Sequence, residues 1–244
     1  MRRLAHRRAD RAEARAFVIE GPTLVAEAVA RGVALDEVFV DEAHAGLVPA
    51  GVAAPVHLVR TGVLDGVLDA RSPRPVAAVA ARPVHGLDDL DRDRPVLVAV
   101  GVGDPGNAGT LVRVAEASGC AGVVFTDGAV DPYGPKCVRA SAGAVFGLPI
   151  VEGEGATEVL EGLAGRGWSV LGTAVDRGDD YDRVDLRTPF ALALGHETRG
   201  LATDAPVDRW VRIPMEGPTE SLNVAAAGAV VAFEAARQRR EAGR

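Results

Sequence analysis

The run Val96-Leu97-Val98-Ala99-Val100 is apolar at five consecutive positions and is followed at once by Gly101. Successive side chains of a strand point to opposite faces, so this strand must be covered on both sides, as a central strand of a parallel sheet is. Parallel neighbours need crossover connections, which helices usually supply. The chain downstream fits that requirement. Apolar runs at 122–126, 168–175, 190–195 and 210–214 alternate with helical stretches near 108–118, 135–146, 156–166 and 221–240. Such alternation predicts an α/β domain over 96–244.

A smaller α/β unit is expected upstream over 17–82. There the runs FVIE, LDEVFV, VHLV and VAAVAA alternate with the helical patterns PTLVAEAVARG and GVLDGVLDA. Residues 83–95 are polar and bounded by prolines, which reads as a linker. Residues 1–16 form a basic arm, in which Arg2, Arg3, Arg7, Arg8, Arg11 and Arg15 stand against Asp10 and Glu13, a net charge of +4. Arg7, Arg8 and Arg11 are candidates to contact phosphate; a solvated terminus is the plainer alternative. No internal repeat or low-complexity tract is visible.

With 48% hydrophobic and 25% charged residues in 244, the composition is that of a folded globular protein. The net charge of −7 argues against a chain that coats nucleic acid over its whole surface. The N-terminus lacks the apolar core of a signal peptide, and no run of about 18 apolar residues occurs, so a cytoplasmic protein without a membrane partner is expected. Cys120 and Cys137 have no metal-ligand spacing to each other or to the scattered histidines, so no metal is expected.

Gly101, Gly103 and Gly106 satisfy GxGxxG between a strand and a helix, with Asp127 ending the next strand. Alone, this spacing suggests dinucleotide binding, as in a nicotinamide enzyme. Asp104 opposes it, since a carboxylate would face the phosphates, and Pro105 and Asn107 sit where the turn should pass directly into the helix.

Four further stretches point elsewhere: NAGTLVRVAEASG from Asn107 to Gly119, YGPKCVRASAGAVF from Tyr133 to Phe146, LGHETRGL from Leu194 to Leu201, and IPMEGPTESLNVAAAGAVVAFEAARQR from Ile213 to Arg239. In this order and spacing they resemble the signature motifs of the SpoU/TrmH family of S-adenosylmethionine-dependent RNA ribose methyltransferases, within the SPOUT superfamily. FVIEGPTLVAEAVARG, Phe17 to Gly32, is similar to the opening of the substrate-binding domain that precedes the catalytic domain in members acting on large-subunit ribosomal RNA. The resemblance implies a C-terminal trefoil knot, a homodimer with the active site at the subunit interface, and methyl transfer to a ribose 2′-hydroxyl. Ribosomal RNA is the first expected substrate and tRNA the second.

It also assigns residues. The backbone around Leu194, Gly195, Glu197 and Gly200, with Ile213 and Met215, would cradle the adenosine of the cofactor, and Ser221, Leu222 and Asn223 would close the site. Asn107, Arg113, Glu197, Ser221 and Asn223 form the catalytic set. Arg113 is better suited to stabilise charge on oxygen than to act as a base, because a guanidinium is hard to deprotonate. The plainer alternatives are helix caps for Asn107 and Ser221, a surface arginine for Arg113 and an exposed loop carboxylate for Glu197. Asn223, two positions into an Ala- and Val-rich helix, lowers its propensity and needs a reason. Arg139 and Ser141 match a further motif, with Arg139 contacting RNA phosphate or forming a salt bridge. The chain departs from the family at His196 and Thr198, where smaller residues are common, and at Ser72–Val76. A homologue that binds RNA without catalysis is a rival, although the intact polar set opposes it.

Overall fold

Each element of the N-terminal part forms where the local sequence supports it. The computed structural model describes residues 1–68 and 74–243. In chain order come α1 (Arg2–His6), α2 (Arg8–Ala14), β1 (Ala16–Glu20), α3 (Pro22–Ala30), β2 (Leu35–Asp41), β3 (Val56–Val59) and β4 (Val76–Ala81). Pro22 opens α3 at the position where a missing N–H costs nothing. The strands form one sheet in the order β1-β4-β2-β3, antiparallel except for the β2–β3 pair. A helix is expected over 62–70, but 61–68 forms turns; Asp69 and Ala70 lie outside the described residues. Gly62, held at φ +85°, and Gly66 weaken the helix there. Only Leu64 and Leu68 of that stretch are buried, one turn apart.

The chain continues with β5 (Val96–Ala99), α4 (Pro105–Ser118), β6 (Gly122–Phe125), α5 (Pro135–Ala140), β7 (Ile150–Glu152), α6 (Ala156–Ala164), β8 (Ser169–Thr173), β9 (Asp179–Asp180), β10 (Phe190–Leu194), β11 (Arg209–Arg212) and α7 (Val224–Glu241). Contacts divide the molecule into two units, Met1–Pro83 with Asp131–Gly147, and Val84–Val130 with Leu148–Arg244. The stretch 131–147, expected inside the catalytic domain, thus packs within the first unit. There Tyr133 packs against Phe17 with centroids 5.2 Å apart and the rings tilted by 57°, and Gly143 lies so close to Glu27 that a Cβ would meet its Cγ at 2.6 Å. The helix expected over 135–146 breaks after α5, because Ala142 and Gly143 both take positive φ.

In the second unit seven parallel strands run in the order β7-β6-β5-β10-β8-β11-β9. Strand β5 lies inside the sheet and is buried along its length, as its apolar run requires. Helix α7 lies on α4 at Gly228, where a Cβ would meet the Leu111 side chain at 2.8 Å. The segment read as a linker, 83–95, belongs to this unit from Val84 onward. His85 bridges to Val151, Leu90 is 3% exposed in the core, and the Arg94 carbonyl accepts a bond from Trp168 Nε1 at 2.8 Å. Its polar composition concealed two apolar anchors, Leu87 and Leu90, three residues apart.

Candidate active site

The C-terminal ends of β8, β10 and β11 open onto one cleft of ≈ 340 Å³. In an open α/β sheet, ligands bind outside the carboxyl ends of the strands, where their order switches. Here the switch lies at β10, which follows β9 in the chain yet inserts between β5 and β8. All eight residues expected to bind the cofactor line this cleft: Leu194, Gly195, Glu197, Gly200, Ile213, Met215, Ser221 and Leu222. Glycine is required in the loop after β10, since a Cβ on Gly195 would collide with the backbone of Gly200 and Leu201. The Gly200 N–H donates to the His196 carbonyl at 2.8 Å and closes the loop.

A chain of hydrogen bonds joins three distant motifs. Glu197 accepts from the backbone N–H of Gly103 at 3.2 Å, from that of Asp104 at 3.0 Å and from Asn107 Nδ2 at 3.0 Å. A carboxylate can only accept, so the Asn107 amide must present Nδ2 to it and turn Oδ1 away. That Oδ1 accepts from Asn223 Nδ2 at 2.8 Å, which leaves Asn223 Oδ1 to cap α7 by accepting from Ala225 and Ala226. Glu197 therefore sets the orientation of both amides. Burial opposes its ionisation, but the bonds from Asn107, its own N–H, Asp104 and Gly103 prevail and hold its pKa at about 2.

Two capping expectations change. Asp104, not Asn107, caps α4, its Oδ1 accepting the Asn107 N–H at 2.8 Å. Asn223, not Ser221, caps α7, so the helix begins at Val224 and Asn223 imposes no interior propensity cost. The dinucleotide reading loses its physical basis with the first of these. The Asp104 carboxylate occupies the α4 N-terminus, and the Gly103 and Asp104 N–H groups are taken by Glu197, so a pyrophosphate would meet negative charge instead of free donors.

Arg113 is not brought to this network. It is exposed on α4, and six residues of helix turn it about 120° from Asn107. Nor does it line the cleft. Among the RNA-contact candidates, Arg7 and Arg8 are exposed, but Arg11 is 5% exposed and grips Asp131 through Nε at 2.7 Å and Nη2 at 2.6 Å. Arg139 pairs with Glu20, whose side chain is fully buried. Ser141 is 1% exposed and donates to the Val138 carbonyl. For Arg139 the salt-bridge alternative is the one the structure places, and Arg11 and Ser141 are buried because the segments carrying them pack within one unit, which charge counting does not detect.

Sequence reasoning missed Thr173–Arg177 and Trp210, which form one side of the cleft. Their signal was positional, since they follow or lie in strands next to the switch point. Among the described residues, no group of three or more His, Cys, Asp or Glu is placed to hold a metal ion, and no helix is long and apolar enough to cross a membrane.

A parallel α/β sheet with a cleft at its switch point, crossed by a carboxylate–amide–amide chain, defines a small-molecule-binding α/β enzyme whose site is built from three motif loops. Residues 94–233 match the SpoU rRNA Methylase family, and the chain belongs to that family. It is 31% identical over 233 residues to the 23S rRNA guanosine 2′-O-methyltransferase RlmP of Bacillus subtilis, covering 93% of this chain and 91% of the relative. To a 23S rRNA uridine 2′-O-methyltransferase of Streptomyces viridochromogenes it is 36% identical over 187 residues, 69% of this chain and 62% of the relative. The crystal structure of the SpoU methyltransferase AviRb from S. viridochromogenes, in complex with the cofactor AdoMet, superposes with a TM-score of 0.87 at 29% identity, covering 98% of this chain and 96% of that one.

Proposed function

We propose that this protein transfers a methyl group from S-adenosylmethionine to a ribose 2′-hydroxyl of structured RNA in the cytoplasm, with 23S rRNA as the substrate class. The observation that carries the proposal is the Glu197–Asn107–Asn223 chain at a cleft lined by the loops after β8, β10 and β11. The cleft's residues fit the cofactor. Leu194, Leu201, Val211, Ile213 and Val231 offer apolar surface for an adenine, and the Gly195–Gly200 loop brings backbone close enough to bond its edge. When bound, the cofactor supplies a methyl group activated by its sulfonium.

The chain's own residues position the acceptor. Asn107 and Asn223, locked by Glu197, hold the first turn of α4 and the start of α7 in a fixed relation, which keeps Ser221 and Leu222 beside the cleft. Glu197 stays ionised at neutral pH and is saturated with donors, which makes it an orienting group and a poor proton acceptor. The cation suited to charge developing on the 2′-oxygen is Arg113. It faces away from its own chain's Asn107, which supports a homodimer in which Arg113 serves the cleft of the second copy. The close approach of Gly195 to Gly200 is compatible with a knotted C-terminal segment.

The two 23S rRNA relatives act on different bases, guanosine and uridine, so the nucleotide is not carried over with the family. Transfer of labelled methyl to unmodified 23S rRNA and, in parallel, to bulk tRNA, followed by alkaline hydrolysis, tests the proposal. Label in an alkali-resistant dinucleotide from 23S rRNA is the expected result; label only in tRNA moves the substrate, and cofactor binding without label on either RNA favours a silent RNA binder.

A further inference from the structure

We infer that Arg177, just after β8, takes the α-carboxylate of the cofactor's methionine end, an inference that rests on the cofactor reading above. S-Adenosylmethionine is apolar at its adenine and doubly charged at its amino-acid end, so a cleft that distinguishes it from other adenosines needs a cation at one end only. The arginines lining the cleft are Arg177, Arg199 and Arg212. Arg212 is engaged, its Nε donating to Asp180 Oδ1 at 2.9 Å. Arg199 is exposed within the loop after β10.

Arg177 differs from both in standing over an aromatic ring. Its guanidinium carbon stands 5.1 Å from the Trp210 ring centroid. The indole packs over Gly172, where a Cβ would approach Trp210 Cε3 to 3.0 Å, while Gly178 lies against the Trp210 backbone and Cβ. A cation–π contact holds the guanidinium near the ring without using its N–H groups as donors, and those groups match a carboxylate in two parallel bonds. Its Nε donates to Asp176 Oδ1 at 3.3 Å, and the Asp176 side chain is 76% exposed. Asp176 then lies beside the α-ammonium, which shares a carbon with the carboxylate. The Asp176–Arg177 pair has the opposite charge order to an amino-acid zwitterion. An ordered fork loses less entropy on binding than a free side chain, so the indole contributes affinity without touching the ligand.

The test compares two ligands that share adenosine and a thioether but differ in the amino-acid end. Calorimetry on the full chain with S-adenosylhomocysteine and with 5′-methylthioadenosine gives two affinities for the wild type, Arg177→Gln and Arg199→Gln. Arg177→Gln is expected to weaken S-adenosylhomocysteine about 10- to 100-fold, the range for a hydrogen bond to a charged group, and to leave 5′-methylthioadenosine unchanged. Arg177→Lys, which keeps charge without the fork, should fall between. An equal loss for both ligands would mean that Arg177 merely shapes the wall through Trp210. Selective loss in Arg199→Gln alone would assign the carboxylate to the loop after β10; either result overturns the inference. A wild type that binds neither ligand would remove the cofactor reading itself, and this inference with it.

Discussion

In the first unit, Asp131 and Glu20 meet the guanidinium groups of Arg11 and Arg139 in a buried setting; in the second, Glu197 accepts from two backbone N–H groups and the Asn107 amide at the edge of a cleft, with the His196 ring nitrogen 3.8 Å away. Both arrangements satisfy carboxylates far apart in sequence from their partners, but they solve different problems. Buried charge pairs are costly to break and tolerate little movement, which suits tying 131–147 to the N-terminal strands. Neutral amides around a single carboxylate impose orientation without bringing in a second full charge, which suits a site that must admit both a charged cofactor and a polyanion.

The largest effect is expected where a charge is stranded. Arg139→Ala leaves the Glu20 carboxylate buried and unpaired, and should cost about 3–5 kcal/mol in chemical denaturation. The double variant Glu20→Leu/Arg139→Leu should recover most of it, and failure to recover would show that shape, not charge, holds the segment. Next comes Asn223→Ala, which removes a cap and one arm of the amide chain together. Methyl transfer should fall by about 100-fold from misplacement, while stability drops by about 1 kcal/mol. A variant with wild-type turnover would dissolve the contrast, since the amide chain would then be only structural.

Glu197 offers a pH test with a definite sign. Its pKa is lowered from 4.5 to about 2 by folding, so its contribution to stability is fully present above about pH 4.5 and is lost as pH falls toward 2. Glu197→Gln should flatten that part of the stability profile, measured by thermal unfolding between pH 2 and 6, and a profile equal to wild type would contradict the bond pattern. The smallest effect concerns the exposed arm. Arg7→Ala should leave stability within about 0.5 kcal/mol and, if Arg7 meets phosphate, reduce the salt slope of RNA binding by about one.

The strand–helix alternation of the second unit was legible because both-face apolar runs such as Val96–Val100 have few alternatives. The residues expected from the family resemblance to bind the cofactor all line one cleft. What stayed hidden was tertiary. Nothing local to Arg11 or Arg139 announces Asp131 or Glu20, each more than 100 positions away, and the linker reading failed at Leu90 because two apolar anchors carry little weight in a polar window. The Asn223 puzzle was posed correctly, since the residue did need a reason. The reason was a helix cap two residues later than expected, at Asn223 instead of Ser221.

The Asn223 oxygen that receives the Ala225 and Ala226 N–H groups belongs to the same planar amide that donates to Asn107. Fraying of the first turn of α7 and loosening of the linked amides of Asn107 and Asn223 are therefore one event seen from two sides. Deuterium uptake at those two N–H groups becomes a clock for how often the site comes apart, readable without substrate or turnover.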